Sequence, residues 1–330
     1  MSNFDGLVTG GVDNLVRLWD INTGCCINTL EGHTEHVTGI AQISSTTFGT
    51  VSRDKTIRIW NTNGDLVQVL VGHKEYVDCI TTINNDTIAT GSRDDTACVW
   101  SLYSGECTAM FKQRFDINTI LYHQEAHLLY TGSDDRVIRG YDLETKERIQ
   151  ELKGHSFSIS ALEELGHYRE HCRLASASVD RTIRIWDLTL ATSLREIKTP
   201  HKEKISQLLK IGNNLIASCG DHNIHIHDVD TGALIKTLSG HTDKINSMCV
   251  IDHDIIASAC SDGTVRTWSI STGLCLLASD PKPEQSINCI LRMKQSGPAS
   301  SQLMVRRRSF VYQNSPNRFS SPKKDKCSLM

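Results

Sequence analysis

Four side chains around the stretch DHNIHIHD could hold a metal ion: His225 and His227, Asp221, and the upstream His201. On an extended segment His225 and His227 point to the same face, and four donors are what tetrahedral zinc takes. The plainer expectation is that His227 serves as an N–H donor in a buried network and that no metal is bound. A second set, His167, His171 and Cys172 in EELGHYREHCR, would meet around an ion only on a helix; a polar surface loop is expected there instead. Cys327 offers a third chemistry. The ending Cys327-Ser328-Leu329-Met330 fits the four-residue box on which a prenyl group is attached, with Met favouring farnesyl and Ser328 departing from the aliphatic preference. No nucleophile–base pair, phosphate-cradling glycine loop or paired-carboxylate site stands out. No catalytic residue and no cofactor are therefore assigned, and a non-enzymatic protein is expected.

The elements that carry these residues repeat. VDNLVRLWD, RDKTIRIWN, RDDTACVWS, DDRVIRGYD, VDRTIRIWD, GDHNIHIHD and SDGTVRTWS close on Trp19, Trp60, Trp100, Tyr141, Trp186, His227 and Trp268, at steps of 41, 40, 41, 45, 41 and 41 residues. An Asp stands six residues before each: Asp13, Asp54, Asp94, Asp135, Asp180, Asp221 and Asp262. Gly-His precedes four of the units, at His33, His73, His155 and His241, with Pro200-His201 as a variant. Short apolar runs such as LIASCG and TIATGS, split by Asp, Gly and Asn, read as strands and turns. A period of this length marks a repeat architecture.

These seven units resemble the WD-repeat family over about residues 4–293. The resemblance implies an all-β fold: a seven-bladed β-propeller with four-stranded antiparallel blades. It also implies a buried network joining the Gly-His histidine, a Ser/Thr four before the Asp, the Asp itself and the Trp indole N–H. Complete sets are His33/Thr50/Asp54/Trp60, His73/Thr90/Asp94/Trp100, His155/Ser176/Asp180/Trp186 and His241/Ser258/Asp262/Trp268. Unit six departs, with Ala217 at the hydroxyl position and Ser218 one later. The first-strand pattern VTGIAQI recurs in every unit but the first, and its missing copy appears as INCILRM near the other end. Residues 286–293 are therefore expected to complete blade 1 and close the ring, which removes an open sheet edge.

The face carrying the Asp turns is where this family usually binds peptides. Blades 2 to 5 place Arg53, Arg93 and Arg114 there, with Tyr76, Phe115 and Phe157. Arginine and aromatic side chains dominate interface hot spots, so partner proteins carrying acidic or phosphorylated segments are expected.

The chain has 330 residues, 39% apolar and 22% charged, with a net charge of −3. No nucleic-acid partner is expected from that balance, and the propeller is expected to be monomeric. Twelve cysteines without a spaced framework, and no apolar leader in MSNFDG, fit a reducing cytosol. Domain 1–296 is thus the propeller. Domain 297–330 matches no repeat, is rich in Ser, Pro and Arg, and carries +6, which leaves −9 on the rest. It is expected to be disordered. A single lipid at Cys327 binds membranes only marginally, and the basic tail supplies a second attraction to an anionic membrane surface. Ser309, Ser315 and Ser321 sit in short contexts resembling kinase sites, and phosphate there would offset the tail's charge. The expected molecule is a cytoplasmic scaffold held at a membrane. The alternatives are a substrate receptor of a ubiquitin ligase and a soluble or nuclear scaffold without lipid.

Overall fold

The computed structural model describes residues 5–21, 23–168, 171–212, 214–279 and 285–293. The chain divides into Met1–Ser296 and Gly297–Met330. The second unit, with the expectations for Cys327, Ser309, Ser315 and Ser321, lies outside the described residues, as do the side chains of His167 and His171.

Seven four-stranded antiparallel sheets follow one another along the first unit. In blade 2 the order from the centre outward is Val37–Gln42, Thr47–Ser52, Thr56–Asn61 and Leu66–Val71. Burial falls along that order. The second strand, TFGTVS, is almost wholly buried, the third alternates, and the outer one is mostly exposed. Sequence explains the gradient. Second strands such as TIATGS and LIASC are apolar or small on both faces, because each is covered by a neighbouring blade on each side. Outer strands bury little beyond one Leu, Phe or Ile near their ends, such as Leu70 or Leu238.

Small residues set how closely blades approach. A Cβ on Gly10 would lie 2.4 Å from Val37 Cγ1, and one on Gly132 would lie 2.5 Å from Ile159 Cγ2. Both positions receive the first residue of the next blade's inner strand. The apolar cores consequently lie between blades: Val51, Ile57, Ile59 and Leu70 of blade 2 pack with Val77, Ile88 and Trp100 of blade 3. No blade completes a core alone, which is the general condition of repeat folds.

The ring closes in blade 1. Ile287–Met293 pairs antiparallel with Gly6–Gly11, from Gly6↔Met293 to Gly11↔Ile287. Asn288 Nδ2 donates to Val37 O of blade 2 at 2.9 Å, and Ile290 N donates to Ser247 Oγ of blade 7 at 3.2 Å. The closing strand thus ties both neighbours together.

Blade 5 differs from the loop expected of its insertion. Ile159–Tyr168 and His171–Ser178 continue the ladder to Tyr168↔His171. A bulge between Glu164 and Gly166, with Gly166 at φ 74°, absorbs the extra residue and keeps the ladder paired. The segment is a hairpin extension at the end opposite the Asp turn.

Candidate functional site

Each Asp turn begins with backbone geometry. In every blade but the sixth the residue after the Asp takes a left-handed conformation, as at Lys55 (φ 68°), Asp95 (φ 66°), Arg136 (φ 70°) and Arg181 (φ 64°). The Asp carboxylate holds that turn by accepting the N–H two residues on, as Thr56 N to Asp54 Oδ1 at 2.9 Å. In blade 2, His33 Nδ1 lies 2.7 Å from Asp54 Oδ2 and His33 Nε2 2.8 Å from Thr50 Oγ1, while Trp60 Nε1 donates to Thr50 Oγ1 at 2.9 Å. Blade 3 repeats this through His73, Thr90, Asp94 and Trp100 at 2.9, 2.8 and 2.8 Å. Blade 5 does so through His155, Ser176, Asp180 and Trp186 at 2.9, 2.8 and 2.7 Å, and blade 7 through His241, Ser258, Asp262 and Trp268 at 3.3, 2.7 and 2.8 Å. Burial raises the Asp54, Asp94 and Asp180 carboxyls. The histidine and threonine hydrogen bonds outweigh it and hold all three well below the usual range.

A fifth member was missed. Thr56, Thr96, Thr182 and Thr264 donate Oγ1 to the Asp Oδ1 at 2.6, 2.5, 2.7 and 2.6 Å. The signal was in the sequence: Thr follows the Asp by two in the four complete units only.

The incomplete blades substitute in different ways. In blade 4, Gln113 stands where others have the histidine and donates to Thr131 Oγ1 at 2.6 Å. Arg139 bridges Gln113 Oε1 at 2.9 Å to Asp135 at 2.5 Å. In blade 1, Arg17 pairs with Asp13 at 2.5 Å and Trp19 donates to Thr9 at 2.8 Å. Blade 6 has a hairpin one residue shorter: Ser218 pairs with His225, seven on, where Thr50 pairs with Arg58, eight on. Ser218, not Ala217, therefore meets His201, with Oγ 3.0 Å from Nε2. His227 does not take over the indole's role. No hydrogen bond joins it to Ser218 among the described residues, and its buried Nδ1 has no partner. An imidazole is shorter than an indole, so its N–H does not reach.

Cys172 meets His123 of blade 4, Nε2 to Sγ 2.7 Å, rather than a helical histidine set. Ala126 N donates to His123 Nδ1 at 3.2 Å, so Nε2 carries the proton and points it at the sulfur. That tautomer leaves His123 no lone pair for a metal beside Cys172 and Glu164.

On the Asp-turn face, a cavity of about 300 Å³ opens over the central channel. Arg53, Arg93, Lys204 and Lys244 line it against the carboxylates of Asp78 and Asp134. Tyr76 stands between two guanidiniums, 5.7 Å from Arg53 and 5.5 Å from Arg93. Arg93 Nε also donates to Asp78 Oδ2 at 2.7 Å. Burial, then the Lys244 and Arg93 charges, lowers the Lys204 ammonium below its usual value. Arg114 and Phe115 are separate from this arc. With Lys112, Arg139, Tyr141 and Arg148 they line a cleft of about 520 Å³ on blade 4. Phe157 is half-exposed and carries Arg136 5.9 Å over its ring. Arg136, which follows Asp135, was not among the expected residues, which came from the position before each Asp and the loops after the Gly-His marks. The sequence reading also missed Asp78, which belongs to an inner strand.

The family described as WD domain, G-beta repeat, matches residues 24–61, 64–101, 105–142, 146–187 and 232–269. The unmatched full unit is the one closing on His227. Similar proteins include the nuclear distribution protein PAC1 of Arthroderma otae, 31% identical over 176 residues, 49% of this chain and 38% of that protein. The nuclear distribution protein nudF 1 of Talaromyces marneffei is 32% identical over 140 residues, 41% of this chain and 30% of its own. The DENN domain and WD repeat-containing protein SCD1 of Arabidopsis thaliana is 28% identical over 149 residues, 44% of this chain and 12% of its own. The chain spans well under half the length of these relatives. With five matched repeats covering more than half of its residues, and seven four-stranded blades closed by Ile287–Met293, the chain belongs to the WD-repeat family.

Proposed function

We propose that this protein is a non-enzymatic scaffold that docks acidic or phosphorylated segments of partner proteins on its Asp-turn face. The observation that carries the reading is the Arg53–Tyr76–Arg93 arc at the channel mouth. Tyr76 is partly exposed and holds both guanidiniums beside it, so two planar cations and an aromatic face are pre-positioned. Such an arrangement suits bidentate capture of carboxylate or phosphate. Charge-assisted hydrogen bonds contribute about 1.5–3 kcal/mol each. Replacing Arg53 and Arg93 by Glu is therefore expected to weaken acidic peptides at least ~100-fold on an array. Array binding unchanged in the double variant removes the proposal.

The finer part of the reading concerns residues 297–330. Provided Met330 is the carboxyl terminus, Cys327 is a farnesylation site and the adjacent Lys323, Lys324 and Lys326 are its electrostatic partner at an anionic membrane. The support is sequence alone: one four-residue box beside a basic run. Labelling cells with a clickable farnesyl analogue is expected to mark the wild type and not Cys327→Ser, with membrane fractionation following the label. Absence of label in both leaves an untethered scaffold.

A further inference from the structure

Blade 6 has imidazoles where most other blades have an arginine and an indole. His225 occupies the place of Arg17, Arg58, Arg139, Arg184 and Arg266, and His227 the place of the Trp. With His201, three imidazoles lie together: ring centroids are 4.5 Å apart for His201–His225 and 6.4 Å for His225–His227. His201, Asp221, His225 and His227 are 3%, 4%, 5% and 1% exposed.

The hydrogen bonds around them fix which ring nitrogens face one another. His201 Nε2 faces Ser218 Oγ at 3.0 Å, and Ser218 Oγ donates to the His225 carbonyl at 3.4 Å. An ion on Nδ1 of His201 would place the ring proton on Nε2, where it donates to Ser218 Oγ while the serine proton goes to the His225 carbonyl. On His225, Nδ1 is 3.0 Å from Thr237 Oγ1, which leaves Nε2 as the other ring nitrogen. In each complete blade the histidine Nδ1 makes a hydrogen bond to the Asp Oδ2. In blade 6, Nδ1 of His201 faces the other carboxylate oxygen, 3.1 Å from Asp221 Oδ1. One ligand atom from each of His201, Asp221 and His225 lies within 4.8 Å of the other two.

We propose that blade 6 is a transition-metal site of the zinc class, ligated by His201 Nδ1, His225 Nε2 and the Asp221 carboxylate, with a water in the fourth position. The 3.1 Å between His201 Nδ1 and Asp221 Oδ1 fits two ligands of one tetrahedral ion, whose N and O donors at ~2.0 Å stand about 3.3 Å apart. Both histidines then hold hydroxyl partners on their second nitrogen, Ser218 and Thr237, the outer contacts that orient metal-bound imidazoles. The same cluster type in blade 7, His241, Cys260 and Asp262, is not proposed, because Arg266 stands where blade 6 has His225, and Cys260 Sγ is engaged by the Asp243 carbonyl at 3.1 Å and the Asp262 N–H at 3.4 Å.

The test uses the full chain, stripped with a chelator, with zinc chloride and cobalt chloride as probes. One equivalent of zinc is expected, with X-ray absorption showing only N/O neighbours at about 2.0–2.1 Å and imidazole scattering. The melting temperature should rise with free zinc. His225→Arg restores the residue that five other blades carry and is expected to fold while losing the zinc, the cobalt d–d bands and the thermal shift. His227→Trp restores the indole, spares the ligands and is expected to keep all three. Three results overturn the site: no zinc bound at micromolar free metal, unchanged stoichiometry in His225→Arg, or sulfur at about 2.3 Å. The last would place the ion on cysteines such as the exposed Cys25, Cys26 and Cys275. The absorption spectrum of the wild type decides even if a variant fails to fold.

Discussion

A chain stopped after residue 285 is expected to lose the cooperative folded state that a chain stopped after residue 296 retains. The eleven residues between the two stops include the whole closing strand, Ile287–Met293. Its Ile287, Ile290 and Met293 are 5%, 6% and 0% exposed, packed among Leu7, Val8, Phe48 and Ala257 in the two cores that flank blade 1. Full burial of such a side chain is worth about 1.5–3 kcal/mol, so three of them approach the roughly 5–15 kcal/mol that holds a typical domain together. The truncation also strips Gly6–Gly11 of its inner partner and exposes a strand edge to pairing with other chains. Urea unfolding followed by Trp fluorescence, with sizing chromatography, compares the two truncations. An early, non-cooperative transition and aggregation are expected only for the shorter chain. Equal midpoints for the two would contradict closure through this strand.

The second large effect is expected at Trp100. Its indole is 1% exposed, stacks edge-on to His73 at 5.7 Å and donates to Thr90 at 2.8 Å. A Cβ on Gly72 would sit 2.9 Å from the ring, so the site is filled to contact. Trp100→Ala should destabilise by about 3–5 kcal/mol, through lost apolar contact and a cavity between blades 2 and 3. The Thr90 hydroxyl would also lose a donor. Trp100→Phe keeps most of the volume and loses the hydrogen bond, so a smaller cost of about 1–3 kcal/mol is expected. Equilibrium unfolding measures both. A loss under ~1 kcal/mol for Trp100→Ala would show that the indole does not fasten these blades.

The two cases mark what could be read in the sequence. Blade number and closure were legible because they depend on local spacing. An Asp six before a Trp, and an inner-strand pattern missing from one end and present at the other, need no knowledge of neighbours in space. The threonines two after the Asp were equally local and were overlooked. Other features depend on contacts between residues distant in sequence. Gln113 and Arg139 rebuild the blade 4 network through a bridge that spans 26 residues. Asp78 reaches Arg93 fifteen residues away within blade 3, from the inner strand to the turn that follows the second strand. Arg114 and Phe115 stand one and two residues after Gln113, whereas Tyr76 stands three after His73, so they line the cleft with Arg139 and Tyr141 and not the channel mouth. The blade 5 insertion read as a loop because its polar residues alternate onto a hairpin whose pairing is visible only in register.

The interaction reading rests on that arc, and backbone hydrogen exchange tests it most directly. An acidic or phosphorylated peptide selected on an array would be added to the full chain, and exchange compared with and without it. Protection is expected in the Asp turns that follow Arg53 and Arg93 and in residues 74–78, and it should vanish in the Arg53→Glu, Arg93→Glu variant. Protection confined to outer strands such as Leu66–Val71, or to the hairpin ends on the opposite face, would contradict the assignment of the Asp-turn face as the docking surface.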